Sequence, residues 1–283
     1  MRVTNSMTLT TIPGPALNRL WSILEHSLQP NTSFAGRGML WLRNCVVLSR
    51  IPRLRRRFFH GAVPFRRRNL TAEILCINRD EPEPELIAQV VESLAAGKVA
   101  ALPTDTFYGL AVDPVNLRAV ERIYEIKTRA RHKPLSLLIC ETAQAYGLAR
   151  DIDTAFDRLA ERFWPGPLTI VVKAGARLPL RVTANTGNVA LRVPESPIAR
   201  SVVAGLGLPI TATSANLRGM PECTDAHFVR AQLADQIPLI VDGGSTPRSV
   251  PTTIVDLSGG GNSWMILREG AIPTHEIALT LQH

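Results

Sequence analysis

Residues 127–134 read KTRARHKP, and five side chains that are cationic or titrate to a cation fall within seven residues: Lys127, Arg129, Arg131, His132 and Lys133. Like charges this close repel, and an anion bound among them relieves the repulsion. One cation–anion pair at about 4 Å is worth roughly 4 kcal/mol near a protein surface. A solvated basic loop is the other reading of such a run. Further polar segments could share in anion chemistry. LPTDTFYGLA (102–111) offers two hydroxyls and a carboxylate, Thr104, Asp105 and Thr106, and Gly109 permits a tight turn there, as in a strand-to-helix connection. ITATSANLRGMPECT (210–224) is dense in small donors, with Ser214 and Asn216 close to the backbone. LRVP (191–194) and MILREG (265–270) embed Arg192 and Arg268 in apolar strands, where a cation needs a buried carboxylate or a ligand. SVPTTIVDL (249–257) adds Thr252 and Thr253. Neither G-x-x-x-x-G-K-[ST] nor a helix-opening G-x-G-x-x-G occurs, so side chains must grip the anion.

The elements that must position these groups follow from periodicity. Leu86, Ile87, Val90, Val91 and Leu94 share one face of a helix over 84–98 that ends at Gly97. Helices are also predicted over 116–127, over 153–164 with Asp153 as its cap, from Ser196-Pro197 to 206, and near 225–233. Short apolar runs predict strands at 99–103, 135–140, 168–174, 188–193, 209–213, 238–244, 252–257 and 264–268. FWPGPLT (163–169) reads as a rigid connection. Helices and strands alternate early, and the last three strands lack helices between them. The expected fold is α/β, a twisted sheet of mixed parallel and antiparallel strands with flanking helices. The polar segments then lie beyond strand ends, where open α/β sheets hold ligands.

The formal charge of +8 over 283 residues suggests a nucleic-acid or membrane partner only until it is divided along the chain. Residues 1–70 hold twelve Arg, no Lys and one acid, Glu25, a net +11; residues 71–283 hold 20 basic and 23 acidic residues, a net −3. The expected organisation is a basic extension over 1–70 and a folded domain over 71–283. An Arg-rich, nearly acid-free extension fits a mitochondrial transit peptide, a disordered arm, or translation from a mistaken start. Its longest apolar stretch, MLWLRNCVVLS, is too short and too polar for a membrane span. Cys45, Cys76, Cys140 and Cys223 form no C-x-x-C pair and read as reduced, buried thiols, and the sparse His suggest no metal site.

In order along the chain, PTDTFYGL (103–110), KTR…KPL (127–135), WPGPLT (164–169), ALRVP (190–194), TSANLRGMP (213–221), DGG (242–244), TTIVDL (252–257) and ILREG (266–270) resemble the YrdC/YciO family, the threonylcarbamoyl-AMP synthases. The family's K-x-R…S-x-N tetrad falls on Lys127, Arg129, Ser214 and Asn216. The resemblance implies a concave, basic cleft on a twisted sheet. It implies a nucleotidyltransferase joining L-threonine, bicarbonate and ATP, the last with Mg²⁺ on its phosphates, into threonylcarbamoyl-AMP with release of pyrophosphate. The product would pass to a transferase for t6A37 modification of tRNA. By position, catalysis falls on Lys127 and Arg129. Nucleotide contacts fall on Arg129, Lys133, Asn188, Ser214, Asn216, Glu222 through its backbone, and Arg268. Threonine contacts fall on Thr106, Arg192, Ala212 through its backbone, and Thr252. Two positions depart from the family pattern: Leu138 stands where some members have a threonine-contacting His, and Pro251 precedes Thr252-Thr253 where many have an acid or Gly and a Ser. They leave open a YciO-type relative with altered substrate. A tRNA-binding module without the transfer activity is a second alternative, opposed by the −3 body and the lack of an aromatic stacking row. A carbamoyl-phosphate-using domain of the hydrogenase-maturation type is a third. The expected form is single-domain and cytoplasmic, or mitochondrial if residues 1–70 are a transit peptide.

Overall fold

The short apolar runs become strands of one sheet in the computed structural model, which describes residues 72–260 and 263–282. The extension expected over 1–70, with Cys45, lies outside the described residues. In chain order the elements are β1 (Glu73–Cys76), α1 (Pro84–Ala95), β2 (Ala100–Leu102), β3 (Gly109–Ala111), α2 (Leu117–Ile126), β4 (Ser136–Leu138), α3 (Ala143–Leu148), α4 (Thr154–Phe163), β5 (Leu168–Lys173), α5 (Leu180–Thr183), β6 (Asn188–Arg192), α6 (Pro197–Leu206), β7 (Ile210–Ser214), α7 (Ala226–Leu233), β8 (Leu239–Asp242), β9 (Thr253–Asp256), β10 (Met265–Arg268) and α8 (Thr274–Gln282). The sheet order is β1-β8-β2-β3-β7-β4-β6-β5-β9-β10. β1 and β2 flank β8 in parallel, and β4–β6 and β5–β9 are parallel. The other neighbours are antiparallel, which is the mixed sheet that the element pattern predicts.

Each predicted helix and strand forms, and Asp153 and Ser196 cap α4 and α6 by accepting from Phe156 N and Ala199 N. The short β1, β3, α3 and α5, and the C-terminal α8, are additions. β3 corrects the reading of Gly109: it opens a strand paired with Ser214, so PTDTFY (103–108) is the loop of the antiparallel β2–β3 hairpin and not a strand-to-helix turn. A three-residue strand carries too few alternations to show a period of two. The thiols are corrected as well. Cys223 is buried, but Cys76 is exposed and Cys140 half-buried, because one ends an edge strand and the other lies past the end of β4.

Alternation along the central strands gives the sheet two different faces. Leu137, Leu191, Ile170 and Val255 point into a core with Val120 and Ile123 of α2, Phe156 and Leu159 of α4, Val229 of α7 and Ile277 of α8. On the other face Leu138, Ile210, Leu102 and Val241 meet Ile87, Val90 and Leu94 of α1 and Ile198, Val202 and Val203 of α6. Each fully buried side chain of this kind contributes about 1.5–3 kcal/mol. The register next to that second core aligns Ala190, Ser136 and Ala212 across β6, β4 and β7. This row of small side chains has no place in either core, apart from Ala212 at the rim of the second, and Ser136 and Ala212 of it line an open cleft.

The C-terminus of α2 decides where the basic run points. Lys127 is its cap, and Thr128 turns left-handed with φ 44°. Thr128 N donates to Glu125 O and Arg129 N to Tyr124 O, closing the last carbonyls. On a continued helix, residues 127 and 129 would point roughly 200° apart; the reversal at Thr128 lets both turn inward. Thr128 is exposed and β-branched, and a left-handed L-residue costs about 1–2 kcal/mol. Thr128→Gly is therefore expected to raise stability in urea unfolding by about 0.5–1 kcal/mol, after the greater freedom of Gly in the unfolded chain is subtracted. A Gly variant less stable than the parent would contradict the left-handed turn.

Candidate functional site

The cleft has a volume of about 240 Å³ and is lined by Thr106, Arg129, Arg192, Ser214, Thr252 and Arg268, among others. Its lining carries three guanidinium groups and one carboxylate, that of Glu222. Ser136, Leu138 and Ala212 supply its floor, and Phe107, Pro251 and Ile254 add apolar wall. A volume below the roughly 300–1,000 Å³ of drug-sized sites fits an amino acid, so a ligand of nucleotide size must extend out along the open side.

Arg192 is delivered by the last position of β6 and is buried. Nη2 donates to Asp105 Oδ1 at 2.6 Å, Nη1 to Thr106 Oγ1 at 3.2 Å, and Nε to Gly166 O at 2.9 Å. The buried carboxylate that a strand-borne cation requires is thus Asp105. Burial pushes the guanidinium pKa down, and Asp105 opposes that shift. Gly166 must be glycine at this close approach, since a Cβ would lie 2.4 Å from Phe163 O. The connection read as rigid architecture therefore also holds a cleft side chain, through a backbone carbonyl.

Lys127 and Arg129 diverge in role. Lys127 is buried, and Nζ donates to Ser214 O at 2.7 Å, to Asn216 O at 2.5 Å and to Asn216 Oδ1. It braces the loop leaving β7 and does not line the cleft. Burial, with the nearby Arg129 second, lowers its pKa to about 8. Asn216 is buried beside it, donating Nδ2 to Met220 O and accepting from Ser214 Oγ at 2.8 Å. Ser214 reaches the cleft; Asn216 does not. Arg129 does line the cleft, with Nη2 on Pro134 O at 2.8 Å and Nε on Lys133 O at 3.3 Å. Burial holds its pKa below the ordinary arginine value. Lys133, Arg131 and His132 are exposed, so part of the run is indeed a solvated loop.

Across the cleft, Arg268 donates Nε to Thr252 O at 3.0 Å and Nη2 to Thr252 Oγ1 at 2.8 Å. The same hydroxyl meets Thr169 Oγ1 at 3.2 Å. Arg268 is not enclosed in an apolar strand as expected. It is exposed on the edge strand β10, beside exposed Met265 and Leu267, after a register shift between Ile266 and Arg268. Gly270 lets this strand approach the Thr252 loop, because a Cβ there would lie 2.2 Å from Pro251 O.

Of the expected residues, Thr106, Arg129, Arg192, Ala212, Ser214, Glu222, Thr252 and Arg268 meet around one cleft. Lys127, Lys133, Asn188 and Asn216 stand outside its lining. Asn188 donates to Ser258 Oγ at 3.0 Å. It shares a face of β6 with Arg192, four residues and about 13 Å away. Ser136 and Thr169 line the cleft without having been singled out; the alternation of Ser136 with inward Leu137 was the available signal.

Residues 92–270 match the family model of the Sua5/YciO/YrdC domain, described as telomere recombination. The chain is 39% identical over 183 residues to the threonylcarbamoyl-AMP synthase of Pyrococcus abyssi, covering 64% of this chain and 53% of that protein. It is 40% identical over 193 residues to the Bacillus subtilis threonylcarbamoyl-AMP synthase, covering 68% and 55%. The structure of P. abyssi Sua5 complexed with L-threonine superposes with a TM-score of 0.70 at 35% identity, over 74% of this chain and 61% of that one. The chain thus spans little more than half the length of these two synthases. With the matched region enclosing every group that lines the cleft, the chain belongs to the Sua5/YciO/YrdC family.

Proposed function

We propose that this chain makes threonylcarbamoyl-AMP from L-threonine, bicarbonate and ATP, releasing pyrophosphate, for the t6A37 modification of tRNA. One observation carries the reading: a buried guanidinium, Arg192, fixed on three partners at the floor of a cleft that also holds Arg129 and Arg268. A fixed fork of this kind suits a carboxylate, and the two further cations suit phosphates. Its relatives bear the synthase name, and one of them is seen with L-threonine.

In this reading Arg192 takes the threonine carboxylate, and Thr106, Thr252 and the Ala212 backbone read the amino acid's polar groups. The apolar side chains of Leu138 on the floor and Pro251 and Ile254 on the wall receive its methyl group. Bicarbonate carboxylates the threonine amine, with loss of water. A carbamate oxygen then attacks the α-phosphorus, forming the new P–O bond as the bond to pyrophosphate breaks. Such a transfer needs positioning and charge neutralisation and no covalent nucleophile on the protein. Arg129 and Arg268 face the phosphates, with Lys133 at the exposed rim. Lys127 acts through the loop of Ser214 and Asn216. Asn188 and the backbone of Glu222 lie toward the nucleoside. Among the described residues no three His, Cys, Asp or Glu gather to hold a metal ion, so Mg²⁺ would travel on the phosphates and neutralise them there. The product passes to a tRNA threonylcarbamoyl transferase, and any tRNA contact is weak.

We take residues 71–283 as the catalytic domain. No helix among the described residues is long and apolar enough to cross a membrane. We place the reaction in the cytoplasm, or in the mitochondrion if residues 1–70 act as a transit peptide.

The purified chain is expected to release pyrophosphate from ATP only when L-threonine and bicarbonate are both present. Release without threonine, or none with both, would count against the reading. Arg129→Ala and Arg192→Ala are expected to lower kcat/KM by about 10²–10³ while thermal unfolding stays cooperative. A variant that only unfolds would mark its cation as structural. Because the Lys127 pKa lies near 8, the ammonium is charged below that pH and neutral above it. A neutral amine has two hydrogens for three acceptors, so affinity for a non-hydrolysable ATP analogue should fall between pH 7 and 9, while Lys127→Arg should hold it level. Equal pH profiles for the two proteins would remove Lys127 from the argument.

A further inference from the structure

Arginine offers five N–H bonds in a rigid fork. The fold commits three of those on Arg192, to Gly166 O, Thr106 Oγ1 and Asp105 Oδ1. Two remain, one on each terminal nitrogen. Asp105 itself does not line the cleft. It stands behind Arg192, with side-chain exposures of 2% for Asp105 and 7% for Arg192, and forms the wall of a second cavity shared with Arg79, Glu195 and Arg248.

The Asp105 carboxylate is itself held from several sides. Oδ1 accepts from Glu195 N at 3.0 Å as well as from Arg192. Oδ2 faces Arg248 Nη1 at 3.5 Å, and that same nitrogen binds Glu195 Oε2 at 2.6 Å. A counter-charge alone would need no such fixing. Rotation of the Asp105 carboxylate breaks the Glu195 N–H bond or leaves Arg248, so its direction is set by the backbone after β6, the strand that delivers Arg192.

We propose that Asp105 is a positioning residue whose carboxylate, anchored on the Glu195 N–H and flanked by Arg248, fixes the tilt of Arg192 so that its two uncommitted N–H bonds form the fork for a substrate carboxylate. The inference rests on the reading of Arg192 given above and names the group that makes its geometry reproducible. Asp105 touches no substrate. Its contribution is to selectivity for an amino acid bearing a free carboxylate.

The test uses the full chain and three ligands: L-threonine, L-threoninamide, which lacks the carboxylate, and ATP. Wild type is expected to bind threonine about tenfold or more tightly than the amide. Asp105→Ala should weaken threonine by about tenfold or more, leave the amide within twofold, and leave the KM for ATP unchanged. Asp105→Asn keeps an oxygen acceptor and should recover part of the threonine affinity; it also serves if the Ala variant does not fold. Equal loss for threonine and the amide, or a fall in kcat with threonine affinity intact, overturns the inference and leaves Asp105 a structural counter-ion. A wild-type protein that binds the amide as well as the acid overturns the reading of Arg192, and this inference with it.

Discussion

A guanidinium buried in a β-strand constrains everything around it. Arg192 sits in β6 with its side chain out of water, and an uncompensated charge there would cost several kcal/mol. Two chain segments supply its partners, the β2–β3 loop with Asp105 and Thr106 and the connection before β5 with Gly166 O, while the turn after β6 with the Glu195 N–H and the loop before β9 with Arg248 hold the Asp105 carboxylate in place. They are far apart in sequence, so the ion pair forms only when the sheet order is correct. The interaction that fixes a cation in the cleft is therefore also a check on the fold.

The open half-face of the sheet follows from the same register. Leu138 and Ile210 are paired neighbours beneath α1 and α6. Two residues along, their places are taken by Ser136 and Ala212, which give a helix nothing to bury. Helical cover stops where the side chains become small, and the cleft begins there. On the reverse face the same strands present Leu137, Leu191 and Thr211, so one alternation builds both the core and the floor of the site.

Much of this was legible in the sequence, for reasons that differ by element. α1, α2 and α4 are legible through a 3.6-residue apolar period, and α4 and α6 through their caps, Asp153 and Ser196. β3 did not, because three residues cannot display a period. Cys76 is exposed against expectation because an apolar run fixes a strand but not its place in the sheet, and β1 is an edge. Arg268 is exposed for the same reason on β10. That a cation in LRVP must have a partner was readable. The identity of that partner was not, since Asp105 lies 87 residues away and only tertiary structure brings it near.

The cations of the cleft are held in two ways, and the difference bears on how charge is kept available. Arg129 rests on the carbonyls of Lys133 and Pro134, and Arg268 on the carbonyl and hydroxyl of Thr252. Neutral acceptors orient a guanidinium without cancelling its charge; for Arg268 the charge of Glu222, in the same lining, offsets part of it. Arg192, at the floor and furthest from water, is balanced by a carboxylate that makes its burial tolerable and leaves two N–H bonds for hydrogen-bonded recognition. In the proposed reaction, depth would separate two tasks: the outer cations attract and neutralise the phosphates, and the inner one reads a carboxylate. On that reading, a highly charged group would sit at the mouth of the site and a singly charged one at its base, without the two exchanging places.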